Sequence, residues 1–225
     1  MKFFIDKRKG RNSHPFSFFN GLAVLAVLIS AGLAACSGPI TVLNPRQGSA
    51  PVNSNPGIPQ TGARPDCTSP TTLTPAETEG PYFKAGSPDR TSLLERGMKG
   101  TKLVLSGYVM TADCSPAAHA LLDFWQANAE GQYDNSGYTL RGHQFTDATG
   151  HYQLTTIVPG LYPGRTEHIH VKVQAPGGSI LTTQLFFPGV PENASDGIFN
   201  PTLVMNVEPT AEGETASFNF FVSAH

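Results

Sequence analysis

From residue 102 onward the chain consists of short apolar or alternating runs broken by turn residues, and none sustains the period of an amphipathic helix. The runs are "KLVLSGYVM" (102–110), "ALLDFWQAN" (120–128), "GHYQLTTIV" (150–158), "HIHVKVQA" (168–175), "ILTTQLFFP" (180–188), "LVMNV" (203–207) and "ASFNFFVS" (216–223). Alternation of this kind sends one set of side chains to a core and the other to solvent. Gly and Pro, 23 and 19 of the 225 residues, supply the turns between runs. In "TDATG", Asp147 and Gly150 read as hairpin chemistry. The pattern predicts an all-β fold, a β-sandwich with long loops. The one helical suggestion, "SLLERGMK" at 92–99, amounts to a single turn.

The N-terminal third has a different character. Lys2, Lys7, Arg8, Lys9 and Arg11 precede the uncharged run "GLAVLAVLISAGLAA" (21–35), the order of a secretory signal. The run ends in "LAAC", which resembles a bacterial lipobox with Cys36 as the lipidated first residue of the exported protein. The alternative is an uncleaved N-terminal membrane helix, for which the run is short. Residues 36–66 are rich in Pro, Gly, Ser and Asn and predict a disordered tether; 67–225 is then one β-sandwich domain, held to a membrane through Cys36. Without residues 1–35, 10 basic residues face 16 acidic ones, a formal charge of −6, which excludes a basic surface for nucleic acid. The two remaining cysteines, Cys67 and Cys114, suggest a disulfide in an exported protein. No oligomeric state is specified.

Chemistry concentrates in "PGLYPGRTEHIHVKV" (159–173). On a strand, His168 and His170 point to one face and can turn both imidazoles toward one ion, with Ile169 directed to the core. His-x-His alone is equally compatible with surface or core histidines. Two tyrosines in turn segments alter the balance: Tyr162 in the Pro-Gly loop before the strand, and Tyr133 in "WQANAEGQYDN". A phenol ionises near pH 10, so a strongly Lewis-acidic cation is needed to hold it as phenolate at neutral pH. Two phenolates with two imidazoles suit Fe(III) better than Zn(II) or Fe(II).

Together the motifs resemble the intradiol ring-cleavage dioxygenases, the protocatechuate 3,4-dioxygenase and catechol 1,2-dioxygenase group. The resemblance rests on "TPAETEGPYF" (74–83), "DFWQANAEGQY" (123–133), "LRGHQFTDATGHYQLTTIVPGLYPGRTEHIH" (140–170) and "TQLFF" (183–187). It implies a non-haem Fe(III) bound by Tyr133, Tyr162, His168 and His170, with Tyr162 and His168 axial. It implies insertion of both atoms of O2 into a catechol-type ortho-diphenol, cleaved between its hydroxyls to a cis,cis-muconate-type diacid. Arg165 and Gln184 match catalytic positions, and Tyr162 matches the ligand that leaves the metal when substrate arrives. Thr78, Gly80, Pro81 and Trp125 match substrate-pocket positions, although Trp125 reads equally well as plain core. Gly164 stands where protocatechuate enzymes tend to carry a bulky aromatic, and Tyr162 is only six residues from His168. Both features look most like the exported, lipoprotein branch of the family, whose substrates are broader catechols.

The other aromatic and titratable residues carry plainer expectations. Tyr82, Tyr108, Tyr138 and Tyr152 are assigned to packing or the rim. His119, His143 and His151 are assigned to the surface or to support of the ligands, and Glu167 to an exposed mouth. A non-catalytic transthyretin-like or carboxypeptidase-regulatory module on a lipoprotein accounts for the turns and "PGLY", but not for Tyr133, Arg165 and His-x-His together. A copper or zinc protein using the two histidines is the remaining class.

Overall fold

The computed structural model describes residues 66–68 and 71–224, all within the compact unit Asn53–His225. The predicted signal segment, Cys36 and all of the tether but Asp66 lie outside the described residues. Nine strands are present among them: β1 (Lys102–Thr111), β2 (Leu121–Trp125), β3 (Arg141–Phe145), β4 (His151–Ile157), β5 (His168–Gln174), β6 (Leu181–Phe186), β7 (Asn206–Thr210), β8 (Gly213–Ser217) and β9 (Phe220–Val222). One sheet has the order β4-β1-β8-β7, with β9 also paired to β1; the other has the order β3-β2-β5-β6. The expected all-β sandwich is the observed architecture.

The core lies between the sheets and follows from the alternation. Ile169, Val171 and Val173 of β5 are fully buried, as are Leu122 and Phe124 of β2 and Leu185 of β6. Register stacks them across strands: Phe124 opposes Val171, and Ile169 opposes Leu185. From the other sheet Leu103, Leu105 and Leu154 complete the same cluster. Burying such a side chain is worth about 1.5–3 kcal/mol each.

Several boundaries differ from the sequence expectation. The segment 92–99 is not helical. Leu93 is buried in the core, and its N–H donates to Thr155 O at 2.8 Å, so the backbone extends along β4 before a turn closed by Met98 N–H to Glu95 O. β3 has no apolar alternation and was not expected. Its second residue is Gly142, where a Cβ would meet Leu93 at 2.7 Å and Arg90 at 2.8 Å, so close packing rather than hydrophobicity marks the strand. The run 203–207 splits between a 3-10 turn, Pro201–Leu203, and the start of β7. The last run divides at Phe218–Asn219 into β8 and β9.

An extended strap, residues 74–90, crosses the outer face of the β3-β2-β5-β6 sheet. Phe221 N–H donates to Thr74 Oγ1, Glu77 N–H donates to Thr182 O, and His143 N–H donates to Pro88 O. These bonds carry the strap from β9, over β6, to the far edge strand β3. Before it, Cys67 is bridged to Cys114, with Cα atoms 5.7 Å apart across 47 residues of sequence. The expected disulfide is therefore formed. Closing a loop of that length restricts the unfolded chain, so the Cys67→Ser/Cys114→Ser double variant should lose about 2–4 kcal/mol of stability in denaturant titration. An unchanged midpoint would show that the bridge adds nothing.

Candidate metal centre

The site is built on the outer face of the β3-β2-β5-β6 sheet. Pairing sets Arg141, Trp125, His170 and Gln184 side by side, one from each strand. All four are at most 2% exposed, although they face away from the core. Trp125 stacks on His170 with ring centroids 4.8 Å apart and planes 3° from parallel, and Phe83 of the strap packs edge-on against the indole at 4.9 Å. Trp125 thus covers one face of the His170 ring. The strap passes directly above: a Cβ on Gly80 would sit 3.3 Å from His170 Cε1, and Gly80 has φ +69°. Thr78 contributes its carbonyl, which accepts from Gln184 Nε2 at 2.8 Å, while its side chain and Pro81 are exposed.

Two loops bring the tyrosines. After β2, Asn128 Oδ1 accepts the N–H groups of Glu130 and Gln132 at 3.0 and 2.8 Å and folds the chain back. Asp134 then accepts N–H groups from Ser136, Gly137 and Thr139, which hold its carboxyl well below the usual range. Tyr133 lies between these two turns. The second loop passes so close that a Cβ on Gly131 would be 1.9 Å from Leu161 O, and one on Gly160 would be 2.2 Å from Ala129 O. Pro163 and Gly164 then form a tight turn, with Gly164 at φ +79° and Arg165 N–H bonded to Tyr162 O at 2.9 Å. The turn explains the glycine by backbone conformation: nothing lies within 4 Å of a Cβ placed there.

The four rings converge. Tyr133 Oη is 3.4 Å from His168 Nε2, the His168 and His170 centroids are 4.8 Å apart, and the Tyr133 and Tyr162 rings meet edge to face at 6.1 Å. His168 Nδ1 lies 2.6 Å from Thr166 O, which can only accept, so Nδ1 carries the proton and Nε2 presents its lone pair. Burial pushes the pKa of His168 down to about 4. Burial, then the neighbouring His168, Arg165 and Arg141, hold His170 well below its usual value. Both imidazoles are therefore neutral at pH 7, the form that binds metals. Burial pushes the Tyr133 phenol up against the opposing pull of Arg165 and Arg141. No group of three His, Cys, Asp or Glu side chains among the described residues gathers to hold an ion. A metal here depends on the phenols, and a buried phenol ionises only beside a strong cation. The donor set fits a trivalent ion.

Arg165 is fixed beside this cluster. Its Nε donates to Asp196 Oδ2 at 2.8 Å and its Nη2 to Gln184 Oε1 at 2.6 Å. Burial opposes the Asp196 carboxylate, but hydrogen bonds from the N–H groups of Thr166 and Ile198, and from Arg165, outweigh it and keep its pKa below the ordinary range. Tyr162 and Arg165 border a cavity of about 360 Å³.

Three participants escaped the sequence reading. Tyr82, assigned there to packing or the rim, sits inside the cluster: its Oη is 3.0 Å from Tyr162 Oη and its ring stacks on Tyr133 at 4.3 Å. Its position next to Pro81 in "TEGPYF" was the available signal. Asp196 and Arg141 carried none. Arg141 donates to the carbonyls of Tyr82 and Asp134 and so ties the strap to the Tyr133 loop. Elsewhere Tyr108 and Tyr152 are buried packing residues, and Tyr138 donates to Ala85 O. His143 Nδ1 lies 2.7 Å from Ser87 O, and His151 packs on Tyr108. His119 has φ +57° and lies in the turn before β2. Glu167 is half-buried, and burial, then Glu214 and Glu192, push its carboxyl up.

A family model described as "Dioxygenase" matches residues 78–221. The chain is 32% identical over 148 residues to the protocatechuate 3,4-dioxygenase beta chain of Burkholderia cepacia, covering 54% of this chain and 63% of that one. It is 36% identical over 144 residues to catechol 1,2-dioxygenase 2 of Acinetobacter lwoffii, covering 52% of each. The chain thus spans between half and two thirds of these curated relatives. Among solved structures, the dioxygenase domain of a dioxygenase carbohydrate-binding protein fusion from Streptomyces sp. SirexAA-E superposes with a TM-score of 0.67 at 53% identity, over 68% of this chain and 100% of that one. The 3-chlorocatechol 1,2-dioxygenase of Rhodococcus opacus 1CP gives 0.63 at 29% identity, over 67% and 73%. The chain belongs to the intradiol ring-cleavage dioxygenase family.

The Arg165–Asp196 pair yields a test of how the site is held. Asp196→Asn should cost about 2–4 kcal/mol at pH 7, because it leaves a largely buried guanidinium without its counter-charge. The folded-state pKa of Asp196 is depressed, so its contribution is complete above the unfolded value, about 3.9, and is lost as pH falls through the lower folded value. Wild type and variant should therefore converge in stability only once pH has fallen below the depressed folded-state value of Asp196. A gap that persists there would assign the effect to packing.

Proposed function

We propose that this protein is a non-haem Fe(III) dioxygenase that inserts both atoms of O2 into a catechol-type ortho-diphenol and cleaves the ring between the two hydroxyls. The product is a cis,cis-muconate-type diacid, whose formula equals diphenol plus O2. The observation that carries this is the convergence of Tyr133, Tyr162, His168 and His170 beside Arg165 and Gln184. Curated relatives named catechol and hydroxyquinol 1,2-dioxygenase support it.

Tyr133, Tyr162, His168 and His170 would hold the iron. When bound, Fe(III) supplies the Lewis acidity that keeps phenols ionised and makes a coordinated diphenol reactive toward O2. The protein's own groups do the rest. A diphenol must lose two protons to bind through both oxygens, and Tyr162 Oη is a site for one of them. Tyr82 Oη, 3.0 Å away, offers the resulting phenol a hydrogen-bond partner. Arg165 places a fixed cation beside the reacting ring, where developing negative charge gains most from it in a site with little water. Gln184 holds that guanidinium in place while its amide is anchored by Thr78 O. Trp125 stacks on the His170 ring, and Gly80 lies close to its Cε1 and Nε2.

A non-catalytic transthyretin-like module would have no use for buried neutral histidines facing two half-buried phenols. Iron-replete protein should show a visible phenolate-to-Fe(III) band and take up one O2 per catechol. Tyr162→Phe should keep its iron and lose about 10- to 100-fold in kcat/KM, as expected when a proton acceptor is removed. His170→Ala should lose the metal. A colourless iron-replete protein, or a product that retains a semialdehyde, would overturn the proposal.

The same reading places the enzyme outside the cytoplasm, anchored through a lipid on Cys36. The "LAAC" sequence supports it, and the Cys67–Cys114 bridge suits an oxidising compartment. Mass spectrometry of protein extracted from membranes should find residues 1–35 removed and Cys36 acylated; an unmodified Cys36 thiol would sink the anchor.

A further inference from the structure

The cavity beside the metal centre carries a charge pattern that the ring-cleavage chemistry does not require. Its wall is formed by Leu161, Tyr162, Gly164 and Arg165 from the loop before β5, and by Glu192 and Ser195 from a 3-10 turn, Pro191–Ala194, and the residue after it. The volume, about 360 Å³, is in the range that holds a drug-sized molecule and exceeds what a bare dihydroxybenzene fills. Gly164 leaves the wall open, with nothing within 4 Å of a Cβ there. Leu161, 44% exposed, supplies an apolar rim.

Arg165 is the only cation on that wall, and Asp196 already neutralises it at 2.8 Å. No cation among the described residues pairs with the Glu192 carboxylate, so the wall as a whole is negative. The backbone that carries it is fixed. The N–H groups of Ser195 and Asp196 both donate to Glu192 O at 3.0 Å. Asn193, next in the chain, accepts from Thr166 Oγ1 and donates to Phe187 O. Asp196 binds both Arg165 Nε and Thr166 N–H. The turn bearing Glu192 is therefore tied, at two residues, to the loop that bears Arg165.

Taking the ring-cleavage function proposed above as given, we propose that Glu192 is a specificity determinant. It makes the site selective for ortho-diphenols whose ring substituent is extended and uncharged, and it disfavours those whose substituent is a carboxylate. An uncharged substituent meets Leu161 and the Ser195 hydroxyl. An anionic one meets Glu192 with no cation free to answer it. Repulsion between two unit charges several ångströms apart in a half-wet pocket is worth about a five- to tenfold change in affinity.

The test uses a pair matched in shape: 3,4-dihydroxybenzoate and its methyl ester, assayed by oxygen uptake with the iron-loaded enzyme. In wild type at low salt, kcat/KM for the ester should exceed that for the acid. Glu192→Gln should lower the ester-to-acid ratio by about fivefold or more. The ratio of ratios cancels the different electronics of the two rings. Raising salt to about 0.5 M should narrow the wild-type ratio in the same direction, because screening acts on the charge alone. That second arm needs no variant and stands even if Glu192→Gln fails to fold. A ratio that neither substitution nor salt moves, with both compounds consumed, overturns the role of Glu192 alone. Failure to consume either compound, or catechol itself, overturns the ring-cleavage function and the selectivity with it.

Discussion

Arg141, Trp125, His170 and Gln184 stand side by side across four strands, on the face of the sheet turned away from the core. A row containing a guanidinium, an imidazole and an amide cannot be buried without partners, since each unpaired group costs about 1–3 kcal/mol or more. The remainder of the site answers that requirement for the guanidinium and the amide. Arg141 is satisfied by the carbonyls of Tyr82 and Asp134, and Gln184 by Arg165 and Thr78 O. Two buried nitrogens of the row, Trp125 Nε1 and His170 Nδ1, have no partner among the described residues. The strap and the loops are thus more than a lid. They are where the hydrogen bonds of the row end.

Precision between the two tyrosine loops comes from the absence of side chains. Gly131 and Gly160 let the loop carrying Tyr133 lie backbone to backbone against the loop carrying Tyr162, with Gly160 N–H bonded to Asn128 O at 2.8 Å. A contact of that kind has no rotamers, so it transmits position without slack. Three short turns, built on Asn128, Asp134 and Pro163-Gly164, then set the direction of each phenol. The result is a candidate metal site whose proposed ligands come from one strand and two loops that share a close backbone junction.

The legible and illegible parts of this chain divide along physical lines. β1, β2, β4, β5 and β6 were readable because each buries alternate apolar residues against the opposite sheet. β3 was not, since Arg141 and His143 face the strap and Gly142 is there for clearance. The segment 92–99 misled because Leu93 and Leu94 suit a helical turn, whereas the backbone of Leu93 is claimed by Thr155. In the site, residues with a local signature, such as His-x-His and Tyr162 before Pro-Gly, could be named from sequence. Tyr82 and Asp196 lie 80 and 31 residues from the partners they contact, Tyr162 and Arg165, and no local pattern marks such pairings.

The electrostatics explain why these particular ligands belong together. Both histidines are held neutral by burial, so they bring no charge. Burial also drives Tyr133 toward its neutral phenol, although Arg165 and Arg141 draw it the other way. In isolation the pocket therefore resists ionisation, and two fixed cations moderate that resistance without overcoming it. A trivalent ion would reverse the balance: ionised phenols would compensate much of its charge, and the neutral imidazoles would complete the set without adding more. A carboxylate-rich site would hold its negative charge with or without metal. Of the two phenols, Tyr162 is the one hydrogen-bonded to Tyr82 and bordering open space.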